Sequence, residues 1–179
     1  MRGILPVLHS DTEVLAALES DSAKIIAAPP SYPLLIALKA QQHPVLVVTS
    51  SSRSVEDLAE SLRDLHSRVY EFPAWETLPH ERLSPRSDTV AQRIATLYSL
   101  QLSEATHPVV VAPVRAVIHR FIATLAKTPL WTLEIGQEIG LTELITHLTN
   151  LAFTRTDLVE KRGEFAVRGG IVDVFLPLA

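Results

Sequence analysis

The sequence predicts an α/β protein, with a parallel sheet that carries helices on both faces, followed by a small α+β domain. Over roughly the first 127 residues, short apolar stretches alternate with stretches whose apolar residues recur at helical spacing. This repeated strand–helix order is typical of parallel sheets. Hydrophobic residues make up 47% of the 179 residues, so the chain can bury a sizeable core.

Four strands are predicted in the first part: Lys24–Ala28, Val45–Thr49, Arg68–Phe72 and Val109–Ala112. The unbroken apolar run that opens the second strand indicates a sheet covered on both faces. Helices are predicted before, between and after these strands. They begin at a capping box over residues 10–13, at Leu34, at Ser54 with Asp57, at Asp88, whose helix has the stripe Val90, Ile94 and Leu97, and at Pro113.

The pattern changes near Lys127. A strand over Leu130–Ile135, a helix from about Thr142, a β-like run over Phe153–Val159 and a hairpin over Glu164–Phe175 follow. We therefore predict one domain over residues 1–127 and a second over 128–179. Because the chain stops directly after a strand, we expect the second domain to be truncated at its C-terminus.

Gly169 and Gly170 separate two β-like runs and suit a two-residue turn. That register pairs residue 168 with 171, 167 with 172, 166 with 173, 165 with 174 and 164 with 175, and directly opposed residues share a face. One face is then apolar. The other predicted face consists of Glu164, Ala166, Arg168, Ile171, Asp173 and Phe175. An arginine beside exposed apolar residues is typical of a protein-binding hot spot. From the pattern alone, an ion pair between Arg168 and Asp173, or simple solvent exposure of the arginine, is an equal alternative.

Composition excludes several kinds of chemistry. The chain has no cysteine, so thiolate nucleophiles and disulfides are absent. Its net charge of −4 argues against DNA as the main partner of this segment. The corner after the first predicted strand, residues 27–34, lacks the glycines and the lysine of a P-loop. The histidines do not have metal-ligand spacing, and the apolar runs are too short to span a membrane, so a cytoplasmic location is expected.

The long loop over residues 73–87 permits two interpretations. Trp75 could stack on a nucleic-acid base while Arg82 and Arg86 contact phosphate, or Trp75 and two leucines could anchor the loop to the core. Anchoring is favoured, since long loops inside compact domains need it. Glu76, His80 and Glu81 are interpreted as solvated groups of this loop, without acid–base chemistry.

Two stretches resemble the N-terminal region of the bacterial transcription-repair coupling factors. They are Trp75-Glu76-Thr77-Leu78-Pro79 with Ser84-Pro85, and the run from Arg162 to Phe175, which reads RGEFAVRGGIVDVF. The second stretch is shared with the excision-repair protein UvrB. Where UvrB carries a long tyrosine-rich segment, this chain has only the short loop, and it lacks the P-loop of UvrB.

The resemblance implies a degenerate P-loop-type (RecA-like) domain without ATP binding, followed by a domain that docks the damage sensor UvrA. It implies a non-catalytic module of nucleotide excision repair, without cofactor in this segment. For the full-length protein it implies an ATP- and magnesium-dependent DNA translocase that also binds RNA polymerase and double-stranded DNA. It also assigns a UvrA contact to the arginine of the R-G-G turn, Arg168. The other residues of its predicted face, Glu164, Ile171, Asp173 and Phe175, are the remaining candidate contacts. The alternative is a small α/β nucleotide-binding module or enzyme with an unrecognised site.

Overall fold

The computed structural model describes residues 5–8, 10–77, 84–102, 105–119, 131–151 and 153–176. Within these ranges the chain forms two three-stranded sheets. The first comprises β1 (Val45–Thr49), β2 (Val69–Glu71) and β3 (Val109–Pro113), all parallel, in the order β1-β3-β2. The fold is therefore mixed α/β with a parallel sheet, as the alternating pattern predicts.

The first predicted strand, Lys24–Ala28, is wrong, because residues 23–28 form no strand. Ile26 is 86% exposed. Two prolines follow directly, and the residue before a proline is restricted to extended or polyproline-like angles. Ala28 accordingly has φ −62° and ψ 140°, and the chain passes into a 3₁₀ turn over Pro29–Ser31.

Seven helices lie in the described ranges: α1 (Leu5–Leu8), α2 (Thr12–Glu19), α3 (Tyr32–Lys39), α4 (Ser52–Arg63), α5 (Ser87–Ser99), α6 (Val114–Ile118) and α7 (Leu141–Asn150). The caps differ from those predicted. Asp11 is the N-cap of α2 and accepts hydrogen bonds from the amides of Glu13 and Val14. Ser51 caps α4 through the amide of Ser54. Asp88 lies inside the first turn of α5, which has no side-chain cap. Capping a helix N-terminus requires one side-chain acceptor on a residue with suitable backbone dihedral angles. Several nearby polar residues can take that position.

The main core lies on one face of the parallel sheet, where α3 and α4 pack against β3. It includes Ala37, Val55, Ala59, Leu62, Val109 and Val111. A smaller cluster covers the opposite face around Phe72, Val110, Ala112 and Ala116. β3 is buried along its whole length, as expected for a central strand.

The prediction that both faces of the sheet are covered is wrong at β1. Its burial alternates, and Leu46 and Val48 are 57% and 48% exposed. β1 pairs only with β3 among the described residues, so it forms an edge of this sheet. An apolar run in the sequence does not distinguish a central strand from an edge strand, because both can be built from valine and leucine.

The buried side of α5 also differs from the prediction. Thr89, Arg93 and Thr96 are buried, whereas the apolar stripe Val90, Ile94 and Leu97 is only partly buried. Each buried polar residue comes one position before an apolar residue of the stripe. The hydrogen-bond partners of the three polar residues lie in β2 or in the loop after it. A buried polar side chain that makes a hydrogen bond costs less free energy than one that makes none, so α5 can bury this side.

The second sheet has the order β4-β5-β6. β4 (Thr154–Arg155) is parallel to β5 (Glu164–Arg168), which pairs antiparallel with β6 (Ile171–Val174). The β-like run Phe153–Val159 is thus a strand of two residues, and residues 131–135 are not a strand. Only Thr154 and Arg155 of the first run pair with β5, and residues 131–135 pair with no described strand. The predicted boundary at residues 127 and 128 lies outside those residues. None of the helices in the described ranges is long and apolar enough to cross a membrane.

Candidate protein-binding site

The C-terminal hairpin has the predicted register. Phe165 pairs with Val174, Ala166 with Asp173, Val167 with Val172, and Arg168 with Ile171. The Phe175 amide donates to the Glu164 carbonyl at 3.0 Å, which continues the ladder. The prediction of the hairpin is therefore confirmed residue by residue.

The turn depends on Gly169, whose φ of +60° lies in the left-handed region. Side chains other than glycine rarely adopt that angle without strain. Gly170 lies outside the left-handed region, so a single glycine satisfies the turn's backbone requirement. The turn places Arg168 and Ile171 side by side at the tip of the hairpin.

The predicted face that carries Arg168 is only partly exposed to solvent. The side chain of Arg168 is 63% exposed and Ile171 is 65% exposed. Ala166 is 0% exposed, so its expected position on an open face is wrong. Ala166 lies in β5, the central strand of this sheet, between β4 and β6. The accessible part of this face is therefore the hairpin tip and its β6 side.

Arg168 forms an ion pair with Asp173. Its Nη2 donates to Asp173 Oδ2, diagonally across the hairpin, and the Asp173 side chain is 42% exposed. The alternative that the sequence pattern left open is thus present. Because both groups remain in contact with water, the pair contributes little to stability. It does determine where the guanidinium points in the isolated chain.

The Glu164 carboxylate is bonded to the backbone of the preceding loop. Its Oε2 accepts hydrogen bonds from the backbone amides of Glu160 and Lys161, at 3.0 and 2.9 Å. These two hydrogen bonds, with the charge of Lys161, hold the pKa of the Glu164 carboxyl below its ordinary value. The residue closes the loop that leads into β5, which is a structural role that the pattern did not reveal.

Phe175 is half-buried beside Arg162, whose guanidinium carbon lies 5.7 Å from the centre of the ring. Arg162 Nη1 also approaches Asp88 Oδ1 of α5 at 3.6 Å. One arginine thus contacts both the end of the hairpin and the helix that follows the long loop. Phe175 lies at the end of the hairpin opposite the tip and is only partly accessible.

The loop after β2 is anchored by a side chain that sequence reasoning missed. Arg93 of α5 is 1% exposed and lies against two aromatic rings, with its guanidinium carbon 4.0 Å from the centre of Phe72 and 4.2 Å from that of Trp75. Its Nη1 donates to the carbonyl oxygen of Pro73 at 2.6 Å. The signal that could have found it is the polar stripe at positions 89, 93 and 96, which has helical spacing.

Trp75 is therefore held by the protein, as the anchoring interpretation expects. Glu76 is exposed at the surface and accepts a hydrogen bond from Thr89 Oγ1. Burial alone would raise the pKa of Glu76, but this bond, backbone amides and the charge of Arg86 together lower it. Arg86 is exposed, and its Nη2 lies 4.0 Å from Asp88 Oδ2. The positions of Leu78, His80, Glu81, Arg82 and Leu83 lie outside the described residues.

The segment over residues 27–34, which lacks a P-loop motif, borders a groove whose lining is unfavourable for phosphate. A groove beside the Pro29–Ser31 turn is lined by Thr49, Ser54, Asp57 and Asp64, and by apolar residues. Among the described residues that line it, no side chain is basic and two are carboxylates. Nor do the described residues contain a cluster of three or more metal-binding side chains.

Comparison with known proteins identifies the region of the hairpin. The UvrB interaction domain family matches residues 131–179. The chain is 43% identical to the transcription-repair-coupling factor of Mycobacterium tuberculosis over 166 residues, which is 86% of this chain and 13% of that protein. It is 28% identical to the Escherichia coli factor over 145 residues, 79% of this chain and 12% of that protein.

The chain is homologous to the transcription-repair coupling factors. This confirms the resemblance seen in its two motifs. The Myxococcus xanthus factor is also similar, at 35% identity over 117 residues, 64% of this chain and 10% of that protein. The chain spans only about an eighth of the length of the M. tuberculosis relative.

Proposed function

We propose that this chain is a non-catalytic module of a transcription-repair coupling factor that recruits UvrA during nucleotide excision repair. The observation that carries the proposal is the hairpin within the matched UvrB interaction domain, with Arg168 and Ile171 exposed at its tip. A cation beside an exposed aliphatic side chain is a common centre of protein–protein binding. Association there requires surface complementarity, and no bond is made or broken.

In this proposal, residues 1–127 form a degenerate nucleotide-binding domain and residues 128–179 belong to the docking domain. The lining of the groove at the Pro29–Ser31 corner supports loss of nucleotide binding, because carboxylates repel phosphate and three prolines supply no backbone donors. ATP-driven translocation on double-stranded DNA, with magnesium, and contact with RNA polymerase would reside in other parts of the full-length protein. Titration calorimetry with ATP and magnesium tests this point, since micromolar binding would favour the rival, a nucleotide-binding module.

Arg168→Ala tests the docking surface directly. Removal of a charged hydrogen bond at an interface weakens UvrA binding by roughly 1–3 kcal/mol, or about 5- to 150-fold in Kd. The matched control is Arg53→Ala, since Arg53 is an exposed arginine of α4, outside the proposed docking domain. Biolayer interferometry with purified UvrA measures both. Equal Kd values for the two variants would contradict the proposal, provided that circular dichroism shows both chains folded.

A further inference from the structure

The ion pair at the hairpin tip engages the residue that the docking proposal requires. Arg168 pairs with Ile171 in the ladder and Asp173 pairs with Ala166, so Arg168 and Asp173 stand diagonally on one face. Their side chains are hydrogen-bonded in the isolated chain. The described residues supply no other hydrogen-bond or ion-pair partner to either side chain.

Asp173 reduces the attraction that the hairpin tip exerts on an approaching anion. The two charges cancel when viewed from a distance, and a carboxylate that approaches Arg168 also approaches Asp173. The existing pair is exposed on both sides, 63% and 42%, so opening it costs little. A partner that presents a carboxylate beside an apolar group has an advantage over an isolated anion. Its apolar group contacts Ile171 and so removes apolar surface from water.

We propose that Asp173 is a specificity-determining residue of this surface: it occupies Arg168 in the unbound chain, and a carboxylate of the partner displaces it on docking. This inference rests on the proposed function. The surface then selects an acidic partner region that also presents an apolar residue to Ile171. A partner without the carboxylate leaves Arg168 bonded to Asp173 and gains only the apolar contact.

Asp173→Asn is the decisive substitution. Asparagine keeps the size of the side chain and an oxygen that accepts from Arg168, but it removes the negative charge that opposes the partner. We expect UvrA binding to tighten about two- to fivefold at low salt, and the gain to shrink as salt screens the charges. Asp21→Asn is the control, because it changes the net charge equally at an exposed position outside the proposed docking domain. It should leave the Kd unchanged.

The double variant Arg168→Ala/Asp173→Asn closes the thermodynamic cycle. If Asp173 acts through Arg168, the double variant binds UvrA as weakly as Arg168→Ala alone, within about twofold. Asp173→Ser provides a second test of the same charge removal should the asparagine variant prove poorly folded by circular dichroism, and it too should bind more tightly than the unsubstituted chain.

The outcomes separate the two proposals. If the unsubstituted chain does not bind UvrA, the proposed function fails. If it binds and Arg168→Ala weakens binding, but Asp173→Asn binds equally or more weakly than the unsubstituted chain, the role assigned to Asp173 is wrong. The same conclusion follows if Asp173→Asn tightens binding to the same extent when Arg168 is already alanine, since the effect would not pass through the ion pair.

Discussion

Arg93 is buried without a carboxylate partner among the described residues, and its replacement tests what holds the loop after β2. The guanidinium lies against Phe72 and Trp75 and donates to the carbonyl of Pro73. Its Nη2 has no hydrogen-bond partner among the described residues. Burial of the charge lowers the pKa of Arg93, so the favourable contacts are opposed by desolvation.

The magnitude follows from these opposing terms. Cation–π contacts contribute about 0.5–2 kcal/mol each, and a hydrogen bond from a charged donor contributes about 1.5–3 kcal/mol. Much of this favourable free energy is cancelled by the free-energy cost of burying a cation that has no anionic partner. Arg93→Ala removes the contacts and leaves a cavity, so we expect the free energy of unfolding to fall by about 2–4 kcal/mol. Arg93→Met fills most of the space without a charge, so it should lose less than half as much.

Urea unfolding, followed by circular dichroism and tryptophan fluorescence, measures both variants. Trp75 is one of two tryptophans, and its emission should shift to longer wavelength when the guanidinium no longer covers it. The reasoning is refuted if Arg93→Ala is within about 0.5 kcal/mol of the unsubstituted chain, as a surface change would be. It is also refuted if Arg93→Met loses as much as alanine, because polar contacts would then dominate over packing.

Three further outcomes are expected. Gly169→Ala should cost about 1–2 kcal/mol in a thermal melt, since its φ is +60°, whereas Gly170→Ala, whose Cβ would meet nothing within 4 Å, should change little. The lowered pKa of Glu76 means a stabilising contribution present above pH 4.5, its ordinary value, and lost as pH falls through the lower folded value. The Tm of Glu76→Gln should therefore fall less steeply than that of the unsubstituted chain between about pH 5 and 3, and parallel curves would contradict this. A broad-specificity protease such as proteinase K should cut first near Lys127, where the sequence pattern changes, and a first cut inside β1 or β3 would count against two domains.

Local signals predicted the elements whose formation depends on neighbours in the chain. The bounds of β1 match the apolar run Val45–Thr49, and the hairpin register follows from Gly169-Gly170 between two alternating runs. The failed strand at residues 24–28 shows the limit of such signals, because a strand needs a partner as well as an apolar composition. The site was predictable to the same extent: the exposure of Arg168 and Ile171 follows from the register, while the burial of Ala166 does not.

The sequence by itself determined the α/β class, the hairpin register and the absence of a P-loop motif from residues 27–34, since periodicity, turn chemistry and residue type act over a few positions. Only the tertiary structure decided that Arg93 packs between two aromatic rings, that Glu164 bonds to the backbone before β5, and that Arg168 takes Asp173 as its partner. The contacts of Arg93 join α5 to β2 and the loop after it, and those of Glu164 and Arg168 depend on how the chain folds back on itself. Which of the available polar groups each of these side chains contacts depends on burial and distance in the folded chain. A local sequence pattern does not contain that information.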